Sequence, residues 1–349
     1  MVGKVQTVLG NVSPDQLGHT LTHEHLAMDF SYFYTPPPAA IADQVQGTPH
    51  MGNMGYIRQY PYSSQFNLEF GDQAAKDAVL QDVKMFKRSG GGTIVENSTE
   101  GLRRDVGFYK KVSQETSVHI VAGSGYYIAD LQAPAIANIK EEEMYDRMLK
   151  DFTEGFEEDS SVKAGFLGEI ASAWPLRDFE RKAIKAAGEV QQQTGCPVSF
   201  HPHRLPEAPF EIIRLYLEAG GRPDKAVMSH LDRTLQDETK LLDFSDLKTY
   251  CQFDLFGVEV SYYQLNPTVD MPSDAQRLDR IAMLVREGRG DRVLMSHDIH
   301  TKHRLAEFGG HGYSHIINNV VPRMPGKGLS DDVIDQIIVK NPATWLTIY

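Results

Sequence analysis

Eight times along this 349-residue chain, a short apolar run is followed by a stretch with helical spacing. No other feature constrains the fold as tightly. The runs at 20–26, 93–96, 119–123, 164–170, 198–201, 226–230, 249–254 and 292–298 read as strands. Helical periodicity predicts helices over 72–88, 103–116, 141–158, 177–193, 210–219, 237–247, 274–287 and 331–339. Short, largely apolar strands alternating with amphipathic helices imply parallel strands buried on both faces. Eight such units point to a single-domain α/β fold over 1–349, a (β/α)8 TIM barrel rather than a doubly wound sheet. Neither a domain boundary nor a low-complexity segment interrupts the alternation.

One segment breaks the rhythm. Residues 30–70, inserted after the first strand, hold Pro36-Pro37-Pro38, several tyrosines and scattered Gly, Met and Asn, with no sustained period. A long irregular stretch inside a compact chain is functional or disordered. Its aromatic content argues against disorder, so an ordered lid-like insertion or an oligomer contact is expected. The second alternative would make the protein a homodimer.

Composition narrows the partners. The net charge of −12 excludes a nucleic-acid or anionic-membrane surface, because no basic cluster is present to release counterions. An anionic small molecule remains compatible, since a metal site sets its own local field. Only Cys196 and Cys251 are present, without a partner motif, and read as reduced core thiols. The stretch Met1-Val2-Gly3-Lys4-Val5-Gln6 lacks a secretory apolar core, and no run reaches membrane-spanning length. A cytoplasmic location is the expectation.

The chemistry-bearing residues sit at the ends of the predicted strands. His23 and His25 are two residues apart, so a strand aims both imidazoles to one face. Glu169 closes the fourth strand, His201 the fifth, His230 the sixth and Asp298 the eighth. In a TIM barrel these ends meet at one mouth. Six N/O donors exceed what one tetrahedral ion needs. They suit two divalent ions about 3.5–4 Å apart that share a carboxylate and a hydroxide, with zinc expected from the His-rich set. The natural division gives His23, His25 and Asp298 to one ion and His201 and His230 to the other. Glu169 would bridge, having two oxygens to offer.

These motifs carry a resemblance. His23-Glu24-His25, the strand-end His201 and His230, and Ser296-His297-Asp298 resemble the phosphotriesterase family of the amidohydrolase superfamily. Within it, the phosphotriesterase-related group of animals is more similar still. The shared stretches are Thr20-Leu21-Thr22-His23-Glu24-His25-Leu26-Ala27-Met28, Met228-Ser229-His230-Leu231-Asp232-Arg233-Thr234, His297-Asp298-Ile299-His300-Thr301-Lys302 and Gly309-Gly310-His311-Gly312-Tyr313-Ser314-His315-Ile316. Many family members bridge their metals with a carbamylated lysine, where this chain has Glu169. Family lactonases and phosphotriesterases often carry a basic residue after the seventh-strand aspartate. Here Asp254 is followed by Leu255-Phe256-Gly257, which counts against both activities.

The resemblance implies a binuclear amidohydrolase that cleaves N-acetyltaurine to taurine and acetate, with Asp298 as the catalytic proton carrier. The alternatives are a lactonase or phosphotriesterase on the same metals, and a metal-binding sensor without turnover. A small anionic N-acetylated substrate needs donors opposite the metals. The loops after the strands offer Asn97, Tyr126, His203, Arg204, Arg233, Lys302 and Tyr313.

Overall fold

The computed structural model describes residues 3–260 and 262–349. A two-stranded antiparallel hairpin opens the chain, β1 (Val5–Thr7) and β2 (Gly10–Val12). Eight parallel strands follow: β3 (His19–Glu24), β4 (Gly91–Glu96), β5 (His119–Ser124), β6 (Phe166–Ala171), β7 (Val198–His201), β8 (Ala226–Met228), β9 (Tyr250–Phe253) and β10 (Val293–Met295). Each pairs with its neighbour in sequence, in the order β10-β9-β8-β7-β6-β5-β4-β3. The ends of this sheet meet. The Asp298 amide donates to the His23 carbonyl at 3.0 Å, and Ser296 Oγ accepts from the His23 amide at 2.9 Å. The result is the (β/α)8 barrel that the alternation implies.

The helices form where polar spacing leaves one apolar face, and their ends have local causes. Gln73–Arg88 starts on Asp72, whose carboxylate accepts from the Ala75 amide at 2.8 Å. Val106–Thr116 starts later than expected because the Asp105 side chain caps Phe108 N. Glu141–Thr153 stops short of 158, since Gly155 takes a left-handed φ of 118°. The expected helix over 331–339 continues to Leu346 through a wider turn at Gln336–Lys340.

Two apolar layers divide the interior. The larger fills the space between strands and helices, with Ile94, Ile120, Leu167 and Phe200 on the strand side. The smaller plugs the barrel and combines Val95, Val121, Phe166, Val227 and Leu294 with Val5 of the hairpin and Trp345 of the last helix. That plug leaves the barrel's other end for polar side chains.

Residues 30–70 form an ordered loop of short helical turns, including Met54–Gln59 and Gln65–Leu68. Its base is zipped by Met28 N to Phe70 O (3.4 Å) and Phe30 N to Leu68 O (3.2 Å). Gln264 clamps it from the loop after β9, accepting from Tyr62 N at 3.0 Å and donating to Ser63 Oγ at 2.9 Å. Cys196 and Cys251 are buried and unpaired.

Candidate metal centre

Local backbone irregularities aim the ligands. The β3–β4 ladder shifts register between Leu21 and Glu24, and the β6–β7 ladder between Leu167 and Ile170. Both shifts fall where the strand changes from core residues to His23 and Glu169; such bulges re-aim side chains beside active sites. His230 and Asp298 lie beyond their strands, in left-handed conformations with φ of 57° and 55°. Each such residue costs about 1 kcal/mol or more and persists only where its surroundings hold it. The Asp254 carboxylate holds His230, accepting from its amide at 3.0 Å and from Nδ1 at 2.7 Å. Arg304 holds Asp298 by donating to its carbonyl and to that of His297.

The six candidate ligands converge. His25 Nε2 lies 3.2 Å from Asp298 Oδ1, and His23 Nε2 lies 3.6 Å from it. Glu169 reaches both sides: Oε1 is 3.6 Å from His25 Nε2, while Oε2 is 3.3 Å from His23 Nε2 and 2.8 Å from His201 Nδ1. Donor atoms of His23, His25 and Asp298 lie within 4.8 Å of one another, as do those of His23, Glu169 and His230. His23 thus takes part in both groupings, where the sequence reading gave it to one ion. His201 joins through Nδ1, 2.9 Å from His230 Nε2.

The cluster calls for positive charge. Burial opposes ionisation of Glu169, but His201 and His23 beside it hold its carboxyl well below the usual range. Asp298 is likewise buried and held well below it by His300 and His25. Burial alone would lower His230, yet Asp254 outweighs it and raises this imidazole to about 9. His201 goes the other way, pushed to about 3 by burial despite the pull of Glu169, and so offers a neutral lone pair. His23 Nε2 is buried with no hydrogen-bond partner, facing carboxylate oxygens. A buried orphan nitrogen inside a carboxylate ring is costly unless a cation completes it. These residues fit a pair of divalent cations.

Supporting groups fix the imidazoles, as metal-binding histidines require. His25 Nδ1 meets Ser98 Oγ at 2.9 Å, and Ser98 donates to Glu96 at 2.6 Å. His23 Nδ1 meets Ser229 Oγ at 3.0 Å. Glu24 faces away from the ligands and accepts from Ser296 Oγ (2.7 Å), His297 N and Nδ1 (2.8 Å each) and Ile299 N (2.9 Å). It pins the chain that carries Asp298. Sequence reasoning missed Glu96 and Asp254 as supports, although both close barrel strands and that position was the available signal.

Above the ligands opens a cavity of about 730 Å³ including its mouth, a size suited to a small molecule. Phe30 and Tyr62 of the 30–70 segment form part of its wall, opposite Tyr127, Leu255 and Tyr263. Arg204 and Arg233 are its candidate anion donors. The other candidates lie elsewhere. Asn97 is buried among backbone carbonyls, donating to Thr22 O and Val95 O. Tyr126 packs edge-on against Phe179 and opens onto another cleft. His203 accepts from Leu205 N at 3.3 Å outside the cavity wall. Lys302 is buried against Asp72 at 2.5 Å, and Tyr313 donates inward to His25 O at 2.6 Å. Two residues the sequence did not flag stand over Asp298. His300 Nδ1 is 3.3 Å from its Oδ2, and Tyr62 Oη is 3.2 Å from His300 Nε2.

Known proteins resemble this chain over nearly its whole length. The phosphotriesterase family profile matches residues 3–346. A phosphotriesterase-related protein of Drosophila mojavensis is 53% identical over 347 residues, covering 99% of both chains. Among solved structures, a resiniferatoxin-binding protein from Rhodobacter sphaeroides superposes with a TM-score of 0.92 at 28% identity, covering 99% of this chain and 95% of its own. A phosphotriesterase homology protein from Escherichia coli, solved with phosphate in its active site, gives 0.77 at 25% identity, covering 95% and 99%.

Proposed function

The chain belongs to the phosphotriesterase family, whose members are metal-dependent hydrolases, and from that membership we propose that it cleaves the amide bond of N-acetyltaurine and related anionic N-acetyl amines. The products are acetate and the free amine. The observation that carries this reading is the pair of guanidiniums on the cavity wall. Arg204 donates to Tyr263 Oη at 3.0 Å, and Arg233 to Thr234 Oγ1 and Pro202 O. Neither has a carboxylate partner among the described residues. Arg233 is buried and Arg204 half-buried; cations drawn from water without a counter-ion are costly, and a substrate sulfonate or carboxylate supplies that charge. Lactones and phosphotriesters are neutral and would leave both unpaired. Leu255 on the same wall, in place of a basic residue, supports the same choice.

His23, His25 and Asp298 would hold one divalent ion and His201 and His230 the other, with Glu169 between them. Bound there, two such ions lower the pKa of water and polarise a carbonyl oxygen. The chain does the rest. Arg204 and Arg233 hold the anionic end, which leaves the acetyl group directed at the histidines. The aromatic wall, including Phe30 and Tyr62 of the covering segment, limits the entry of bulk water. Asp298 accepts the proton of the attacking water and returns it to the departing amine. A sensor would have no use for that carboxylate as a proton carrier.

The test is a comparison of N-acetyltaurine, uncharged N-acetyl amines, lactones and phosphotriesters on metal-replete protein. Arg204→Met should raise KM for N-acetyltaurine about tenfold to a hundredfold, the worth of a hydrogen bond to a charged group. It should leave hydrolysis of an uncharged amide unchanged. Faster turnover of a lactone or phosphotriester than of any N-acetyl amine would refute the assignment.

A further inference from the structure

Behind the catalytic cavity lies a second cleft, sharing Val258, Val260, His303 and Arg304 with it as a dividing wall. In a chain with a net charge of −12, this cleft gathers three guanidiniums, Arg58, Arg304 and Arg323, with the imidazoles of His303 and His311. Of its two carboxylates, Asp274 is paired with Arg277 and His315, and Glu259 is held by a backbone amide. Asp274 accepts from Gly257 N at 2.9 Å, Arg277 Nη1 at 3.0 Å and His315 Nε2 at 2.7 Å. Glu259 accepts from the Asp274 amide at 2.8 Å. Arg58 and Arg323 are exposed, and neither pairs with a carboxylate among the described residues. Arg304 is buried, with carbonyls and the His311 ring (Nε to Nε2, 3.3 Å) as its partners.

The walls are built to come close. A Cβ on Gly257, whose φ is 84°, would lie 2.4 Å from the His311 ring. Like charges lining one cleft concentrate a positive field that attracts anions. Here two exposed arginines line one cleft with a buried third.

We propose that this second cleft is a binding site for a small tetrahedral oxyanion of the sulfate or phosphate type, held by the free guanidiniums of Arg58 and Arg323, with the buried charge of Arg304 in the cleft wall adding to the attraction. Planar guanidiniums match such oxyanions with paired N–H donors. The site is separate from the substrate cavity but touches it through Arg304, whose terminal nitrogens hold the His297 and Asp298 carbonyls. An anion bound there shares a cleft wall with the group that positions a metal ligand.

Calorimetric titration of the metal-loaded protein with sulfate tests this. Because phosphate-like ions can also enter the catalytic cavity, two variants separate the sites. Arg58→Gln with Arg323→Gln, both exposed and outside the catalytic machinery, should weaken sulfate binding about tenfold or more while leaving turnover in sulfate-free buffer unchanged. Arg204→Met should leave the sulfate affinity intact. Sulfate affinity unaffected by the double substitution, lost in Arg204→Met, or undetectable in the unsubstituted protein would each overturn the proposal. Circular dichroism of the double variant checks that its fold is retained.

Discussion

Asp298 is tied down on every side: its amide to His23 O, its carbonyl to Arg304 and to His300 Nδ1 (2.7 Å), and its carboxylate to His25 and His300. A carboxylate so placed lies between the metal-binding side chains and the cavity, where it can take a proton and pass it on. An amide needs that transfer because a free amine anion cannot leave, whereas a nitrophenolate can. Asp298→Asn should therefore lower amide hydrolysis by about 10²–10⁴ and hydrolysis of a nitrophenyl acetate much less, with bound metal measured in parallel. Equal loss on both substrates with metal retained would remove Asp298 from the proton path. His297, its neighbour in sequence, is no substitute, since its ring is held by Glu24 and accepts from Ile316 N at 3.1 Å on the far side of the strand. Asp254 acts differently, fixing His230 from behind. Asp254→Asn should weaken metal affinity about tenfold to a hundredfold, read by competition with a chelator, without changing the substrate preference.

Elements explain why the ligands were legible and their surroundings were not. A short apolar run ending in His, Glu or Asp is visible in sequence because burial on both faces removes every other reason for a polar residue there. The strands around His201 and Glu169 illustrate this. The register shifts before His23 and Glu169 leave no mark on the periodicity, so strand ends alone could not show how the side chains turn inward. Tyr62, Tyr263 and Gln264 come from loops, whose course follows tertiary contacts rather than any repeat. Arg204 and Lys302 looked alike as loop cations, yet Asp72 neutralises only Lys302, and Asp72 lies 230 residues away in sequence. The hairpin β1–β2 also escaped prediction, because its role is to close the barrel floor with Trp345. Trp345→Ala should destabilise the fold by about 3–5 kcal/mol, measured by denaturant unfolding, and leave KM unchanged because the plug lies at the opposite end from the cavity.

At the scale of the molecule, the barrel separates stability from chemistry. One end is filled by apolar side chains; the other is left to six metal-competent groups and two unpaired guanidiniums. Among the described residues no helix is long and apolar enough to cross a membrane. The proposed chemistry depends on the cations that the cluster is built to hold. Protein stripped of metal and titrated with zinc, with bound ions counted by plasma mass spectrometry and N-acetyltaurine hydrolysis followed at each step, measures this directly. The predicted result is no activity in the stripped protein and a rate that plateaus when two ions are bound per chain. Full activity without metal, or a plateau at one ion, would contradict it.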